Sequence, residues 1–329
     1  MSDIKLFRLS AGKATELQGD ASDLEKPLQT LIENNLDALL GIRFLATEYS
    51  TGKTHSGRID SLGLDENHCP VILEYKRSVG ENVINQGLYY LDWLMDHQAE
   101  FKLLVMDKLG KPAADAIDWS APRLVCIADD FTKFDGHAVQ QIERNIELIR
   151  YRRFGAELLL LEQASAPSSA PPKGQGTKAK KPGKTLKELP PALSEKTIGP
   201  DKPFVELLAV LPASLVQVLA SLEDYTLSLG DDVQRKELRL YVAYKRLKNF
   251  ASVVLQKNRL LLYLHLDAAA VLRTLANARD VSNLGHWGTG DLEVSLSSLE
   301  DLDAAKPFIA AAYEGRALGG KGASQATSG

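Results

Sequence analysis

The stretch from Gly57 to Lys76, GRIDSLGLDENHCPVILEYK, decides how the first half of this chain folds. Two alternating apolar runs, Arg58 to Leu64 and Val71 to Lys76, flank a polar segment centred near Asn67. Strands of this length separated by a short polar turn are typical of a β-hairpin. We therefore expect two neighbouring antiparallel strands here.

The hairpin register brings two acids together. A turn symmetric about Asn67 produces the opposed pairs Leu64–Pro70, Leu62–Ile72 and Asp60–Glu74. Directly opposed residues share a sheet face, and Lys76, two residues after Glu74, shares that face too. Because two like charges side by side destabilise a hairpin, this arrangement predicts a site for a hard divalent cation with oxygen ligands.

Composition and charge limit the classes of protein that this sequence can encode. The 329 residues suffice for two domains, and 44% apolar with 25% charged residues is ordinary for globular protein. The net charge of -4 excludes a generally basic nucleic-acid-binding protein, so any such contact must come from local patches. Cys69 and Cys126 are far apart in sequence and predict no disulfide framework, which favours the cytoplasm. No apolar run approaches the ~18 residues of a membrane span, and no signal peptide is predicted.

Changes in composition predict the domain boundaries. Residues 164–203 are rich in Pro, Lys, Ser and Gly, and such a segment cannot bury enough apolar surface to fold. It is predicted to be a flexible linker between a first domain at 1–163 and a second at 204–316. A Gly- and Ser-rich tail, 317–329, is predicted to be disordered.

The first domain has a mixed pattern of helices and strands. A helical stripe begins after Ser22, which with Glu25 resembles a capping box, and Gly41 ends it. The other predicted elements are a strand over 42–49, the hairpin, a helix over 81–97, strands over 101–106 and 123–128, a helix over 137–146, and strands over 147–154 and 158–162. This order predicts an α/β fold with a small central sheet.

The second domain is predicted to be a smaller α+β unit. Its predicted elements are a helix over 207–229 with a break near Pro212, a helix over 233–248, a hairpin of 250–256 and 260–266, a helix over 268–276, strands over 281–284 and 292–296, and a helix over 299–313.

Asp60, followed on the next strand by Glu74-Tyr75-Lys76, resembles the motif of the PD-(D/E)xK nuclease superfamily. The resemblance covers roughly residues 20 to 130, and Ile59 stands where the namesake proline precedes the aspartate. It is closest to the branched-DNA and mismatch endonucleases of archaea and actinobacteria and to RecB-like nuclease domains. The resemblance implies a restriction-endonuclease-like fold, a mixed sheet flanked by helices.

The same resemblance implies the metal site. Asp60 and Glu74 would ligate Mg²⁺ or Mn²⁺, and Lys76 would position or help to activate the attacking water. A glutamate of the first helix would complete the ligand set. Glu25 is the first choice for it and Glu33 the second.

Two further side chains are implied to support the site. Gln86 and Tyr90 lie four residues apart, hence on one face of the helix that follows the hairpin, and match a Gln and a Tyr of the family.

Basic residues of the second domain predict a phosphate-contacting surface. This domain resembles an uncharacterised family found downstream of such nucleases, and a simply solvated helix is the alternative for its charges. With Arg58 of the hairpin, the candidate nucleic-acid-binding residues are Arg235, Lys236, Arg239, Lys245 and Arg246.

Two functions are compatible with these features. The first is a metal-dependent DNA endonuclease of repair or defence that acts on structure-specific or single-stranded DNA, with a homodimer left open. The second is a non-catalytic nucleic-acid-binding or protein-interaction module that keeps the nuclease-like fold.

Overall fold

The computed structural model describes residues 4–19, 25–52, 57–76, 83–165, 202–282 and 288–315. Ser22 of the predicted capping box, residues 166–201 of the predicted linker and the tail from 317 lie outside these ranges. Within the described ranges, no helix is both long and apolar enough to cross a membrane.

The first half of the chain contains a short hairpin and a layered α/β unit. Its strands are β1 (Leu6–Ser10), β2 (Lys13–Leu17), β3 (Ile42–Ser50), β4 (Arg58–Asp65), β5 (Pro70–Lys76), β6 (Arg123–Ala128), β7 (Asn145–Phe154) and β8 (Leu158–Ser165). Its helices are α1 (Glu25–Asn34), α2 (Leu36–Leu40), α3 (Val83–Asp96), α4 (Gln98–Leu109), α5 (Lys111–Asp115) and α6 (Lys133–Gln141).

The central sheet is mixed, with strand order β3-β4-β5-β6-β7-β8. Strands β5, β6 and β7 run parallel, whereas β3–β4, β4–β5 and β7–β8 are antiparallel pairs. The parallel pairs require crossovers, which α3 to α5 and then α6 provide. Strands β1 and β2 pair only with each other in the described chain.

Helices bury both faces of this sheet. On one face α1 and α2 pack through Leu28, Ile32 and Leu36 against Leu73 and Tyr75. Gly41 ends α2 in a left-handed conformation with φ of 64°, which glycine adopts without strain. On the other face, the buried cluster includes α3 and α4 residues together with Leu62, Ile72, Leu124 and Cys126. The acids at the ends of β4 and β5 are therefore fixed by a sheet that is packed on both sides.

The second half forms a smaller α+β unit. Its helices are α7 (Phe204–Ala209), α8 (Ala213–Ser228), α9 (Ala268–Val271) and α10 (Leu299–Glu314). Its strands are β9 (Gln234–Glu237), β10 (Val242–Lys245), β11 (Asn249–Gln256), β12 (Arg259–Leu264), β13 (Ala278–Asp280) and β14 (Leu292–Leu296). The strand order is β13-β14-β12-β11-β10-β9, and all pairs are antiparallel.

The second sheet is covered on both faces. Its own helices α8 and α10 pack on one face, through residues such as Leu222 and Ile309. A separate buried cluster joins Leu238, Tyr241 and Tyr263 of this half to Cys69 and Ala121 of the first half. The first half therefore covers the face that the helices leave open.

The predicted fold class is confirmed, with a mixed sheet flanked by helices and a second α+β unit. The predicted hairpin register is also confirmed, since Leu64 pairs with Pro70 and Leu62 pairs with Ile72. The predicted break near Pro212 separates α7 from α8. The domain boundaries at 163 and 204 stay predictions.

The predicted strand over 101–106 is wrong, because these residues lie within α4. Phe101 and Val105 are buried four residues apart, whereas Leu103 and Met106 are largely exposed. This spacing is helical, and a short apolar run does not by itself distinguish a buried strand from a helix.

The predicted helix over 233–248 is also wrong. The segment forms β9 and β10, which pair with each other. All four residues of β10 are buried, so the strand is covered on both faces and no amphipathic helical stripe exists. The basic residues assigned to one helix face are therefore distributed over two strands and their connection.

Smaller differences concern element ends. The helix predicted over 268–276 ends at Val271, and the strand predicted from Val281 lies earlier, at Ala278–Asp280, with 283–287 outside the described residues. The helix predicted over 137–146 spans Lys133–Gln141, because Thr132 and Asp135 form a capping box at its start.

Buried charges hold the two halves together. Arg123 on β6 donates two hydrogen bonds to the Glu147 carboxylate, at 2.8 and 2.9 Å, and one of 3.0 Å to Asp65. Lys245 of the second sheet donates to both Glu147 oxygens, at 2.9 and 3.0 Å. The charges of Arg123 and Lys245 lower the pKa of Glu147, although burial alone would raise it. Lys236, 3.7 Å from Asp65, completes this interdomain ion cluster.

We expect Arg123→Met to lower the free energy of unfolding by about 3–5 kcal/mol, because it leaves two buried carboxylates without their main partner. Arg259→Met, at the exposed start of β12, is the matched control and should cost less than about 1 kcal/mol. Urea unfolding of the full chain measures both. Equal losses in the two variants would contradict this role of Arg123.

Candidate active site

The hairpin opens where the two predicted acids lie. Ladder pairs of β4 and β5 run from Leu64–Pro70 to Ser61–Leu73. Beyond them, the backbone N–H of Asp60 donates to Oε1 of Glu74 at 3.3 Å, and the N–H of Tyr75 donates to Oδ2 of Asp60 at 3.0 Å. Each acid thus accepts a hydrogen bond from the opposite strand. These reciprocal hydrogen bonds fix both carboxylates at the point where the strands separate.

Glu74 lies in an environment that disfavours its charge. The side chain is 0% exposed, and its Oε2 has no hydrogen-bond partner. Burial, together with the negative charge of Asp60, raises the pKa of Glu74 to about 9. Burial also raises the pKa of Asp60. Two neighbouring carboxyls, one of them buried, create a local demand for a cation.

Lys76 and Glu25 influence the acid pair electrostatically. Lys76 ends β5, and its ammonium opposes the effect of burial by lowering the pKa values of Asp60 and Glu74. Glu25 begins α1, and its negative charge contributes to the raised pKa of Asp60. Lys76 therefore acts on both acids, and Glu25 acts on Asp60.

Glu33, the second choice for the first-helix acid, is hydrogen-bonded to two neighbouring side chains. Its Oε1 accepts hydrogen bonds from Ser61 Oγ at 2.6 Å and from Gln29 Nε2 at 2.9 Å. Gln29, which the sequence reasoning missed, also donates to the backbone oxygen of Asp60 at 2.7 Å. Since Gln29 is buried one helical turn after Glu25, it ties α1 to the strand that carries Asp60.

Tyr90 supports the start of β4 from α3. Its Oη accepts a hydrogen bond of 3.2 Å from the Arg58 N–H, two residues before Asp60. The ring lies so close to Gly57 that a β-carbon there would be 2.5 Å from Cε1. Gln86 is half-buried one turn earlier on the same helix. The predicted Gln and Tyr therefore share the helix that covers the open end of the hairpin.

Glu48 is a residue near the site that the sequence reasoning missed. It lies between Thr47 and Tyr49, whose partners on β4 are Ser61 and Ile59, so it is opposite Asp60. Its backbone has a φ of 51°, and its carboxylate forms ion pairs with Lys26 and Arg58. Its charge contributes to the raised pKa values of Asp60 and Glu74. A charged residue within the strand that pairs with β4 was the available signal.

The donor set is compatible with Mg²⁺ or Mn²⁺. These ions are commonly bound through one or two carboxylates, with water and substrate phosphate as the other ligands. Asp60 and Glu74 supply such a pair, and the unpartnered Oε2 of Glu74 is an oxygen in need of a positive neighbour. In the described ranges, no three His, Cys, Asp or Glu side chains are grouped closely enough to hold a metal ion together.

The predicted nucleic-acid-binding residues are dispersed. Arg58, Arg239 and Arg246 are exposed, and Arg58 is the one beside the acid pair. Arg235 is paired with Glu223 and Glu237. Lys236 and Lys245 are buried in the interdomain ion cluster.

We expect Gly57→Ala to destabilise the protein by about 1–3 kcal/mol, because the new methyl group would overlap the Tyr90 ring. Tyr90→Ala removes that ring, so Gly57→Ala should cost much less in the Tyr90→Ala background. A double-mutant cycle of urea unfolding energies tests the contact. An equal cost in both backgrounds would show that Tyr90 does not pack on Gly57.

The raised pKa of Glu74 predicts a pH dependence of stability in EDTA. The folded protein holds this proton more tightly than the unfolded chain, so the associated stability is lost as pH rises from about 4.5 toward about 9. Glu74→Gln cannot ionise and should be more stable than wild type by about 1–3 kcal/mol near pH 8. Glu157→Gln, at an exposed turn position, should behave as wild type. Identical pH profiles for Glu74→Gln and wild type would refute the shift.

Comparisons with known proteins identify relatives but no established activity. A model described as a domain of unknown function (DUF5655) matches residues 206–315, so the second half resembles an uncharacterised domain family. An uncharacterized protein from Haemophilus influenzae is 27% identical over 309 residues, covering 93% of this chain and 98% of that protein.

Two solved structures have partial likeness to this chain. A repair endonuclease from Pyrococcus abyssi is 18% identical with a TM-score of 0.26, over 40% of this chain and 49% of that chain. EndoMS, in a structure named as a complex with double-stranded DNA, is 18% identical with a TM-score of 0.22, over 40% and 48% of the two chains. The match spans about half the length of each endonuclease chain. With TM-scores this low, no conclusion about activity rests on these likenesses.

Proposed function

We propose that this protein is a metal-dependent DNA endonuclease that hydrolyses phosphodiester bonds with Mg²⁺ or Mn²⁺. The observation that carries the proposal is the Asp60–Glu74 carboxylate pair, in which Glu74 is buried, Asp60 is half-buried, and Oε2 of Glu74 lacks a hydrogen-bond partner. An acid on a solvated strand face would be exposed, whereas the Glu74 side chain is 0% exposed. DNA is the proposed substrate because Asp60 and Glu74-Tyr75-Lys76 resemble the motif of PD-(D/E)xK nucleases.

The acid pair would hold the ion. Asp60 and Glu74 are its proposed ligands, with Glu25 of α1 as the proposed third. When bound, the metal supplies Lewis acidity, which lowers the pKa of water and stabilises charge on the scissile phosphate. The hydrogen bonds from Tyr75 and Asp60 amides keep both carboxylates pointing into the gap between the strands.

Other side chains would orient the reacting groups. Lys76, on the same strand as Glu74, would position the attacking water and balance negative charge. Arg58 is exposed beside the acid pair and would contact the DNA backbone, with Glu48 holding its guanidinium in place. Tyr90 and Gln29 would act as positioning residues, since each bonds the backbone of β4 rather than the acids.

The alternative is a non-catalytic nucleic-acid-binding or protein-interaction module. It is favoured by the lack of a three-residue metal group within the described part of the chain. Such a module would bind DNA in a salt-dependent way and would show no metal-dependent cleavage.

We expect the full chain to cut branched, mismatched or single-stranded DNA in Mg²⁺ or Mn²⁺, and to lose activity in EDTA. Asp60→Asn and Glu74→Gln should each lower the rate at least about 100-fold, because each removes a charge that holds the ion. Calorimetric titration with Mn²⁺ should show binding to wild type and much weaker binding to both variants.

The control is Glu157→Gln, which removes an exposed acid on the β7–β8 turn and should retain full cleavage and Mn²⁺ binding. Cleavage that persists in both acid variants would sink the proposal by showing a contaminating nuclease. Salt-dependent DNA binding without cleavage by wild type in either metal would favour the alternative.

A further inference from the structure

A polar cavity of about 340 Å³ lies between the two halves of the protein. The first half contributes the backbone before β6 and the start of β7, and the second half contributes the edge strand β9 with the end of β10. This is the opposite end of β6 from the position that pairs with Glu74. The cavity is therefore separate from the acid pair, and its volume is at the small end of ligand sites.

The interdomain ion cluster in its wall contains more cations than acids. Within the described residues, Arg123, Lys236 and Lys245 share the carboxylates of Asp65 and Glu147. Arg123 and Lys245 have close carboxylate partners, whereas Lys236 is 3.7 Å from Asp65 and 3.3 Å from the Ala121 oxygen. At the rim, Arg144 and Arg235 lie with Glu143 and Glu237, and Arg235 also forms an ion pair with Glu223. Among the five buried side chains of the interdomain ion cluster, cations therefore exceed acids by one.

A buried excess cation is costly unless an anion accompanies it. Burial, reinforced by the positive charge of Arg123, lowers the pKa of Lys245 to about 8, the direction expected where cations outnumber acids. A lysine ammonium has three donors. Lys245 directs two of its hydrogen bonds to Glu147, and Lys236 directs one to Ala121. Both side chains thus retain donor capacity at the cavity.

Gln234 provides a second, independent indication of a ligand. It is 5% exposed, lines the cavity, and its Nε2 has no hydrogen-bond partner. A buried amide N–H without an acceptor is rare, because it carries the full desolvation cost. Gln234 pairs directly with Lys245 across β9 and β10, so the amide and the ammonium belong to neighbouring positions.

We propose that this cavity binds a phosphate group, which Lys236, Lys245 and the Gln234 amide would hold as donors. A phosphate group carries between one and two negative charges at neutral pH and several acceptor oxygens, which match the excess charge and the unused donors. The group comes either from free inorganic phosphate or from a mononucleotide. Its binding would join the two halves, because the wall belongs to both.

Thermal unfolding and calorimetry of the full chain with inorganic phosphate, at constant ionic strength in chloride, test the site. Wild type should show a saturable rise in Tm with phosphate. Lys236→Met should weaken phosphate binding at least about tenfold, because it removes one charged donor. Lys257→Met, at an exposed lysine of the β11–β12 turn, should bind as wild type.

Gln234→Glu is a second variant with an opposite signature. Its carboxylate would supply the missing negative charge, so Tm without phosphate should equal or exceed that of wild type, while the response to phosphate disappears.

The same titration with adenosine monophosphate identifies the source: tighter binding than phosphate indicates a nucleotide, and equal or weaker binding indicates free phosphate. No saturable response in wild type, or an unchanged response in Gln234→Glu, would overturn the proposal.

Discussion

Arg123 is the group on which both halves of this protein depend. Its guanidinium joins three strands of the central sheet, since it lies on β6 and bonds Asp65 on β4 and Glu147 on β7. Glu147 in turn receives Lys245 from the second sheet. A planar guanidinium can satisfy two carboxylates at fixed angles, which an ammonium cannot. One side chain thus connects three strands of the central sheet and, through Glu147, connects that sheet to the second half.

The two ends of the β4–β5 hairpin are restrained by different parts of the chain. At the turn, Oδ1 of Asn67 accepts hydrogen bonds from Tyr241 at 2.9 Å and from Asn249 at 2.7 Å, both in the second half. At the open end, α1 and α3 hold the backbone of β4 through Gln29 and Tyr90. The acid pair therefore lies at one end of a hairpin that is held by hydrogen bonds at both ends. Such support from packed elements is what precise placement of reacting groups requires.

The hairpin could be predicted from sequence because its information is local. Alternation of apolar residues around a polar turn sets the register, and the register places Asp60 beside Glu74. Glu48 was missed because its relevance depends on how β3 pairs with β4, including a residue with positive φ that no pattern indicates. Local patterns therefore supplied the acids but not their neighbour.

The basic residues of the second half show where sequence reasoning fails. A dense run of Lys and Arg indicates a solvated surface in most proteins. Lys245 is buried with its partner Glu147. Because the two residues are 98 positions apart in sequence, no local pattern indicates that pairing. The apolar run at Phe101 has a related cause, since the burial of Phe101 and Val105 on successive helical turns depends on how the helix packs.

The docked face of the second sheet has a consequence for how this chain can be divided. Tyr241, Tyr263 and Leu238 are buried against Cys69 and Ala121, and the polar atoms of the Asn67 turn are satisfied across the same boundary. A fragment that stops at Ser165 would expose this apolar surface and leave the turn to water, which favours self-association. The first half is therefore not an independent unit, and fusions or truncations of this protein would have to include both sheets.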